Sequence, residues 1–105
     1  MAGAVIGPFG RIGRHCVVNT SASIDHDAQI GENVFIQPGA VLAGNVTVGR
    51  NTVVGMGALV REKVHIGDNV VVGAGSYVNK DLPAGGVYFG TPARLVRKNE
   101  TQERI

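Results

Sequence analysis

Every sixth residue from Ile6 is a branched aliphatic: Ile6, Ile12, Val18, Ile24, Ile30, Ile36, Leu42, Val48, Val54, Val60, Ile66, Val72 and Val78. Ile, Leu and Val fill 28 of the 105 positions. At that frequency, thirteen in one register arise by chance on the order of 10⁻⁷ of the time. Neither the helical period of about 3.6 residues nor the strand period of about 2 produces a period of six.

A second period of 18 residues lies on top of the first. IGRHCV (12–17), IGENVF (30–35), VGRNTV (48–53) and IGDNVV (66–71) share a Gly after the aliphatic residue, and carry His15, Asn33, Asn51 and Asn69 at one position. Between them the fifth position stays small, at Ala22, Ala40, Ala58 and Ser76. Eighteen residues therefore make one coil of three sides, each side a short strand and each corner a tight turn. Gly and Asn serve corners because they tolerate positive φ at low cost. The aliphatic rows point inward and stack coil on coil. The small position also points inward, because a larger side chain there would overfill a narrow prism.

This predicts an all-β chain with about four coils over residues 1–82, and residues 83–105 as a loop, a closing extended segment (87–96) and a polar tail or short helix. The composition agrees, with 16 Gly and 17 Val against only 4 Leu, a balance that disfavours helices. Val17, Val41, Val53 and Val71 fall on the outer sides, where a lone prism would expose them. A homotrimer of prisms side by side is the expected way to bury them.

Several function classes drop out. A net charge of +2 and five aromatic residues supply no basic and aromatic platform for nucleic acid. No apolar run is long enough to span a bilayer, and no signal peptide is visible at the start. A single cysteine, Cys16, excludes a disulfide framework and a cysteine-based zinc site, and fits a cytoplasmic protein. Cys16 falls on an inward position and reads as a small buried hydrophobe. His15 shares its row with three asparagines and reads as a turn residue, and His65 reads as solvated.

His26 stands apart. It falls in the corner column Pro8, His26, Gly44, Glu62, Lys80, away from the core. An imidazole can take a proton from an amine or hydroxyl nucleophile, and a carboxylate from Asp25 or Asp27 can orient it. Gly44 lies one coil above, and its bare backbone admits a substrate beside the base. Three histidines at gaps of 11 and 39 do not supply the spacing of a γ-type carbonic anhydrase, so no metal is expected.

The block NTSASIDHDAQIG (19–31), followed by PGAVLAGNVTVG (38–49) and the closing Gly90-Thr91-Pro92-Ala93, resembles the hexapeptide-repeat sugar acetyltransferases. These include amino-sugar N-acetyltransferases of the bacillosamine type and sialic-acid-type O-acetyltransferases. The resemblance implies a left-handed parallel β-helix and acetyl transfer from acetyl-CoA to an amino sugar, with His26 as general base, Asp27 as its orienting acid and the Gly44 N–H as oxyanion donor. It further implies Asn19 and Phe35 at the substrate, and acetyl-CoA in the groove between neighbouring prisms, along a line of corners about one coil apart at Gly44, Met56 and Ala74, toward Pro92 and Arg94. The last belongs to a cluster with Arg97 and Lys98 that suits phosphates. Gly55, Gly57, Gly73 and Gly75 would keep the cofactor surface low. Phe35 stands where many relatives carry a second histidine. Relatives also carry an N-terminal sugar-nucleotide domain, and this chain starts directly in the coils. A catalytically idle trimeric scaffold is the competing expectation.

Overall fold

The computed structural model describes residues 3–99. Thirteen two-residue strands follow one another: β1 (Val5–Ile6), β2 (Arg11–Ile12), β3 (Val17–Val18), β4 (Ser23–Ile24), β5 (Gln29–Ile30), β6 (Phe35–Ile36), β7 (Val41–Leu42), β8 (Thr47–Val48), β9 (Val53–Val54), β10 (Leu59–Val60), β11 (His65–Ile66), β12 (Val71–Val72) and β13 (Tyr77–Val78). The longer β14 (Gly86–Gly90) and β15 (Ala93–Lys98) close the chain. No helix occurs among the described residues, so none is long and apolar enough to cross a membrane.

The strands stack into three sheets. The first holds β1, β4, β7, β10 and β13; the second β2, β5, β8 and β11; the third β3, β6, β9, β12, β14 and β15. Every pairing within the coils is parallel and joins residues 18 apart, as in Ile6 with Ile24 and Ile24 with Leu42. The six-residue register is thus the second residue of each strand. From Val18 onward these residues are fully enclosed, as are Ala22, Ala40, Ala58 and Ser76 of the small row. Parallel strands need a crossover between them, and here the other two sides of the coil supply it.

Left-handed backbone at the corners follows the expected chemistry for His15, Asn33, Asn51 and Asn69, with φ between 55° and 60°. Gly13, Gly31, Gly49 and Gly67 have a different role. A Cβ on Gly13 would stand 2.6 Å from the Glu32 backbone nitrogen, so these glycines let successive turns approach closely. One further inward row runs Cys16, Val34, Thr52, Val70. There Cys16 is partly buried, with Sγ 3.1 Å from the Gly31 carbonyl. Thr52 is fully buried; its hydroxyl donates to the Gly67 carbonyl (2.9 Å) and accepts from the Val70 N–H (3.2 Å).

Three expectations need correction. The stack reaches five rungs in the first sheet, and β14 adds a parallel rung to the third beyond β12. Residues 87–96 are not one extended segment: β14 and β15 form an antiparallel hairpin turning at Thr91-Pro92, and Arg97 and Lys98 belong to β15. Tyr88 pairs beside the inward Val72, and with Leu82 and Ala93 it joins the core, so the hairpin caps one end of the prism. The rest of the expected tail, 100–105, lies outside the described residues.

The third correction concerns the outer rows. Val17 and Val41 are exposed at 38% and 37%, but Val53 and Val71 are fully buried. Both belong to the third sheet, where Val71 pairs with Val53 on one side and with Val87 of β14 on the other. Asn99 donates its backbone N–H to the Gly85 carbonyl (2.7 Å) and its side-chain amide to the Asn69 carbonyl (3.0 Å). The uncovered apolar face is instead that of the first sheet, where Val5, Val41 and Leu59 are exposed in one row with Ser23 and Tyr77.

Candidate functional site

His26 occupies the corner between the first and second sheets, in the turn from β4 to β5. Its backbone N–H donates to Asp25 Oδ1 at 2.7 Å, and Nδ1 lies 3.1 Å from Asp27 Oδ2. Asp27 adopts φ 58°, and its N–H donates to the Pro8 carbonyl of the coil below at 3.0 Å. Both side chains of the His26–Asp27 pair are about half exposed. Of the two acids flanking His26, Asp27 is thus the one whose carboxylate meets the ring, while Asp25 fixes the backbone.

The other ring nitrogen looks up the stack. A Cβ on Gly44 would stand 2.7 Å from His26 Nε2 and 2.8 Å from Cε1, so the imidazole lies against the glycine's bare Cα. The corner is tied together by the Asn45 N–H, which donates to the His26 carbonyl at 3.0 Å. Among the described residues the Gly44 N–H has no protein acceptor. A base oriented by a carboxylate, with an unused backbone donor next to it, can take a proton from a nucleophile while a developing oxyanion is held.

The remaining candidates do not share this corner. Met56 and Ala74, both exposed, lie on the corner between the third and first sheets, in the turns after β9 and β12. Gly44 is twelve residues from Met56, two sides of an 18-residue coil, so the expected single line of corners does not exist within one chain. Asn19 belongs to the Met56 corner and Phe35 to β6 beside it. Gly57 and Gly75 leave that surface open, whereas the Phe89 ring lies directly on Gly73. The expected basic cluster is divided. The bulge in β15 pairs Arg97 with Val87 and Arg94 with Phe89, putting both arginines on the outward face, while Lys98 pairs with Gly86 on the other.

Arg94 contributes to a cleft of about 440 Å³ between the hairpin and the last corner, formed with Lys80, Asp81, Pro83, Tyr88 and Leu95. Lys80 continues the His26–Gly44 column, so the cleft stands at the top of that corner. Burial pushes the Tyr88 phenol up from its ordinary range. Sequence reasoning did not single out Lys80, although its place in the column put it above Gly44. It also missed Gln37, whose Oε1 accepts the Met56 N–H at 3.1 Å. Among the described residues no three His, Cys, Asp or Glu side chains converge as metal ligands.

The comparisons with known proteins agree with this fold. The profile of the bacterial transferase hexapeptide family (six repeats) matches residues 9–44, 27–62 and 45–80. No curated protein sequence matches the chain. Among solved structures, a mutant of GDP-perosamine N-acetyltransferase from Caulobacter crescentus, in complex with CoA and GDP-perosamine, is 38% identical with a TM-score of 0.91, covering 93% of this chain and 47% of that one. The acetyltransferase domain of PglB from Neisseria gonorrhoeae, in complex with acetyl coenzyme A, is 36% identical with a TM-score of 0.90, covering 91% and 47%. A maltose O-acetyltransferase from Clostridium difficile is 27% identical with a TM-score of 0.80, covering 92% and 67%. The chain spans about half the length of the first two. With the profile matched across most of its length and the strand register of that repeat throughout its coils, the chain belongs to the bacterial hexapeptide transferase family.

Proposed function

We propose that this chain transfers the acetyl group of acetyl-CoA to the amine of an amino sugar by direct attack, with His26 as general base. The observation that carries the reading is the apposition of His26 Nε2 to Gly44, with Nδ1 held by Asp27. The acceptor nitrogen attacks the thioester carbonyl and its proton passes to Nε2. Asp27 stabilises the imidazolium that forms, and the Gly44 N–H accommodates the oxyanion. Collapse of the tetrahedral intermediate breaks the C–S bond, and the proton on His26 is available to the departing thiolate. An amide and free CoA result.

Support for the cofactor and for the acceptor class comes from two structural neighbours, one determined with CoA and GDP-perosamine and the other with acetyl coenzyme A. Met56 and Ala74 lie across the first sheet from Gly44. A single acetyl-CoA reaches both corners when two chains meet through the apolar face of Val5, Val41 and Leu59. A cyclic trimer does this three times over, setting the His26 corner of one copy against the Met56 corner of the next. Lys80 and Arg94 in the upper cleft then suit the cofactor's phosphates, near Pro92 in the hairpin turn. Asn19 and Phe35, flanking the Met56 corner, approach the acceptor from the neighbouring copy.

The test is release of free thiol from acetyl-CoA with a panel of 4-amino sugars and their nucleotides, the acetylated product being identified by mass. Amine-dependent release that is lost in His26→Ala supports the reading. A chain that binds acetyl-CoA yet releases no thiol with any acceptor is an idle scaffold.

A further inference from the structure

We infer that Glu62 receives the first amide of the cofactor's pantetheine arm, an assignment that rests on the acetyltransferase reading of the His26 corner and deepens it. Glu62 stands in the corner column between Gly44 and Lys80, one coil above the first and one coil below the second. Its turn is tied to the Gly44 turn as that one is tied to His26: the Lys63 N–H donates to the Gly44 carbonyl at 3.0 Å. Glu62 is exposed. Among the described residues its carboxylate makes neither an ion pair nor a hydrogen bond, although Arg61 and Lys63 flank it in sequence and Lys80 follows it in the column. Its backbone N–H likewise has no protein acceptor. One residue thus presents a strong acceptor and a donor, the pair that a secondary amide needs.

The spacing of the arm matches the column. With the thioester oxygen at the Gly44 N–H and the phosphates at Lys80 and Arg94, the arm between them runs past Glu62. Four bonds separate the thioester carbon from the first amide nitrogen of pantetheine, about 5 Å in an extended chain. Successive coils stand about 4.8 Å apart. The amide nitrogen therefore reaches the height of Glu62 when the thioester carbon is at Gly44. An N–H donated to a carboxylate makes a charge-assisted hydrogen bond. Coulomb forces alone run the other way, because CoA is a polyanion and a carboxylate on its path repels it. The contact is accordingly with the neutral arm and not with the nucleotide, and the two contributions have opposite signs.

Calorimetric titration of the full chain with CoA tests this, with adenosine 3′,5′-bisphosphate as the probe that lacks the arm. CoA is expected to bind about tenfold more weakly to Glu62→Ala, the loss of one charge-assisted hydrogen bond. Most of that affinity should return in Glu62→Gln, whose side-chain oxygen still accepts. The bisphosphate should bind Glu62→Ala as well as the wild type or better, because only a like charge has left its surroundings. Lys80→Ala should weaken both ligands. CoA binding that is unchanged or tighter in Glu62→Ala overturns the assignment, since Glu62 is then a solvated corner residue. Equal weakening of both ligands in Glu62→Ala also overturns it, since the side chain is then structural. A wild type that binds no CoA defeats the acetyltransferase reading itself, and the role of Glu62 falls with it.

Discussion

The imidazole of His26 rests on the bare Cα of Gly44: a single methyl on that glycine would stand 2.7 Å from Nε2. The backbone of Gly44 itself is not left-handed, so Ala introduces no φ strain there. Gly44→Ala is expected to keep the fold but push the ring out of place. A displacement of about 1 Å in a reacting group can cost on the order of 10²-fold, and acetyl transfer should fall by about that factor. Steady-state kinetics with acetyl-CoA check it; an unchanged rate would mean that the ring's place over Gly44 is irrelevant.

His26→Ala should reduce transfer by about 10²–10⁴-fold while acetyl-CoA still raises the melting temperature. Asp27→Asn should cost less, since Asn accepts φ 58° and only the orienting charge is lost. Equal losses in the two variants would assign Asp27 a more direct part in proton transfer.

Leu59→Lys combined with Val41→Lys places two charges on the apolar outer row of the first sheet, leaving the inward rows untouched. Light scattering is expected to show a trimer for the wild type and a monomer for the double variant. Stabilisation by acetyl-CoA should disappear with the trimer, because Gly44 and Met56 lie on different corners of one chain. A monomeric wild type at micromolar concentration would defeat this prediction.

Thr52→Val should destabilise by about 1–3 kcal/mol, since it leaves the buried Val70 N–H without the side-chain partner it now has. Cys16→Ser should be nearly silent. The Cys16 thiol already lies 3.1 Å from the Gly31 carbonyl, the contact that the Thr52 hydroxyl makes two coils above with Gly67, and a Ser hydroxyl there can donate in the same way. Denaturant titration of both variants checks the contrast.

Tyr88 sets the alkaline limit of the hairpin cap. Burial raises its pKa, so the unfolded chain loses the phenolic proton first. Stability is full below the unfolded value of about 10 and declines as pH rises through it, because the folded state holds the proton more tightly. Tyr88→Phe should flatten that decline in melting temperature; an identical alkaline slope would assign it to other groups.

The repeat by itself determined the strands, their 18-residue pairing and the inward rows, because a parallel stack of identical sides repeats each residue's environment once per coil. Ile24 and Leu42 are neighbours for the same reason that they share a column. His26 and Gly44 were legible on the same ground, since their corner is an arithmetic consequence of the period. Where that period stops, legibility stopped as well. The hairpin of β14 and β15 rests on an antiparallel pairing and a bulge, which no column encodes, and the bulge decides that Arg94 and Arg97 share a face. The burial of Val53 and Val71, which share the outer row of the third sheet with the exposed Val17, is likewise not encoded in the column. The division of Met56 from Gly44 followed from the arithmetic, yet its meaning needed the three sheets in space: the sequence specifies the rows, and only the closed prism decides which rows are far apart.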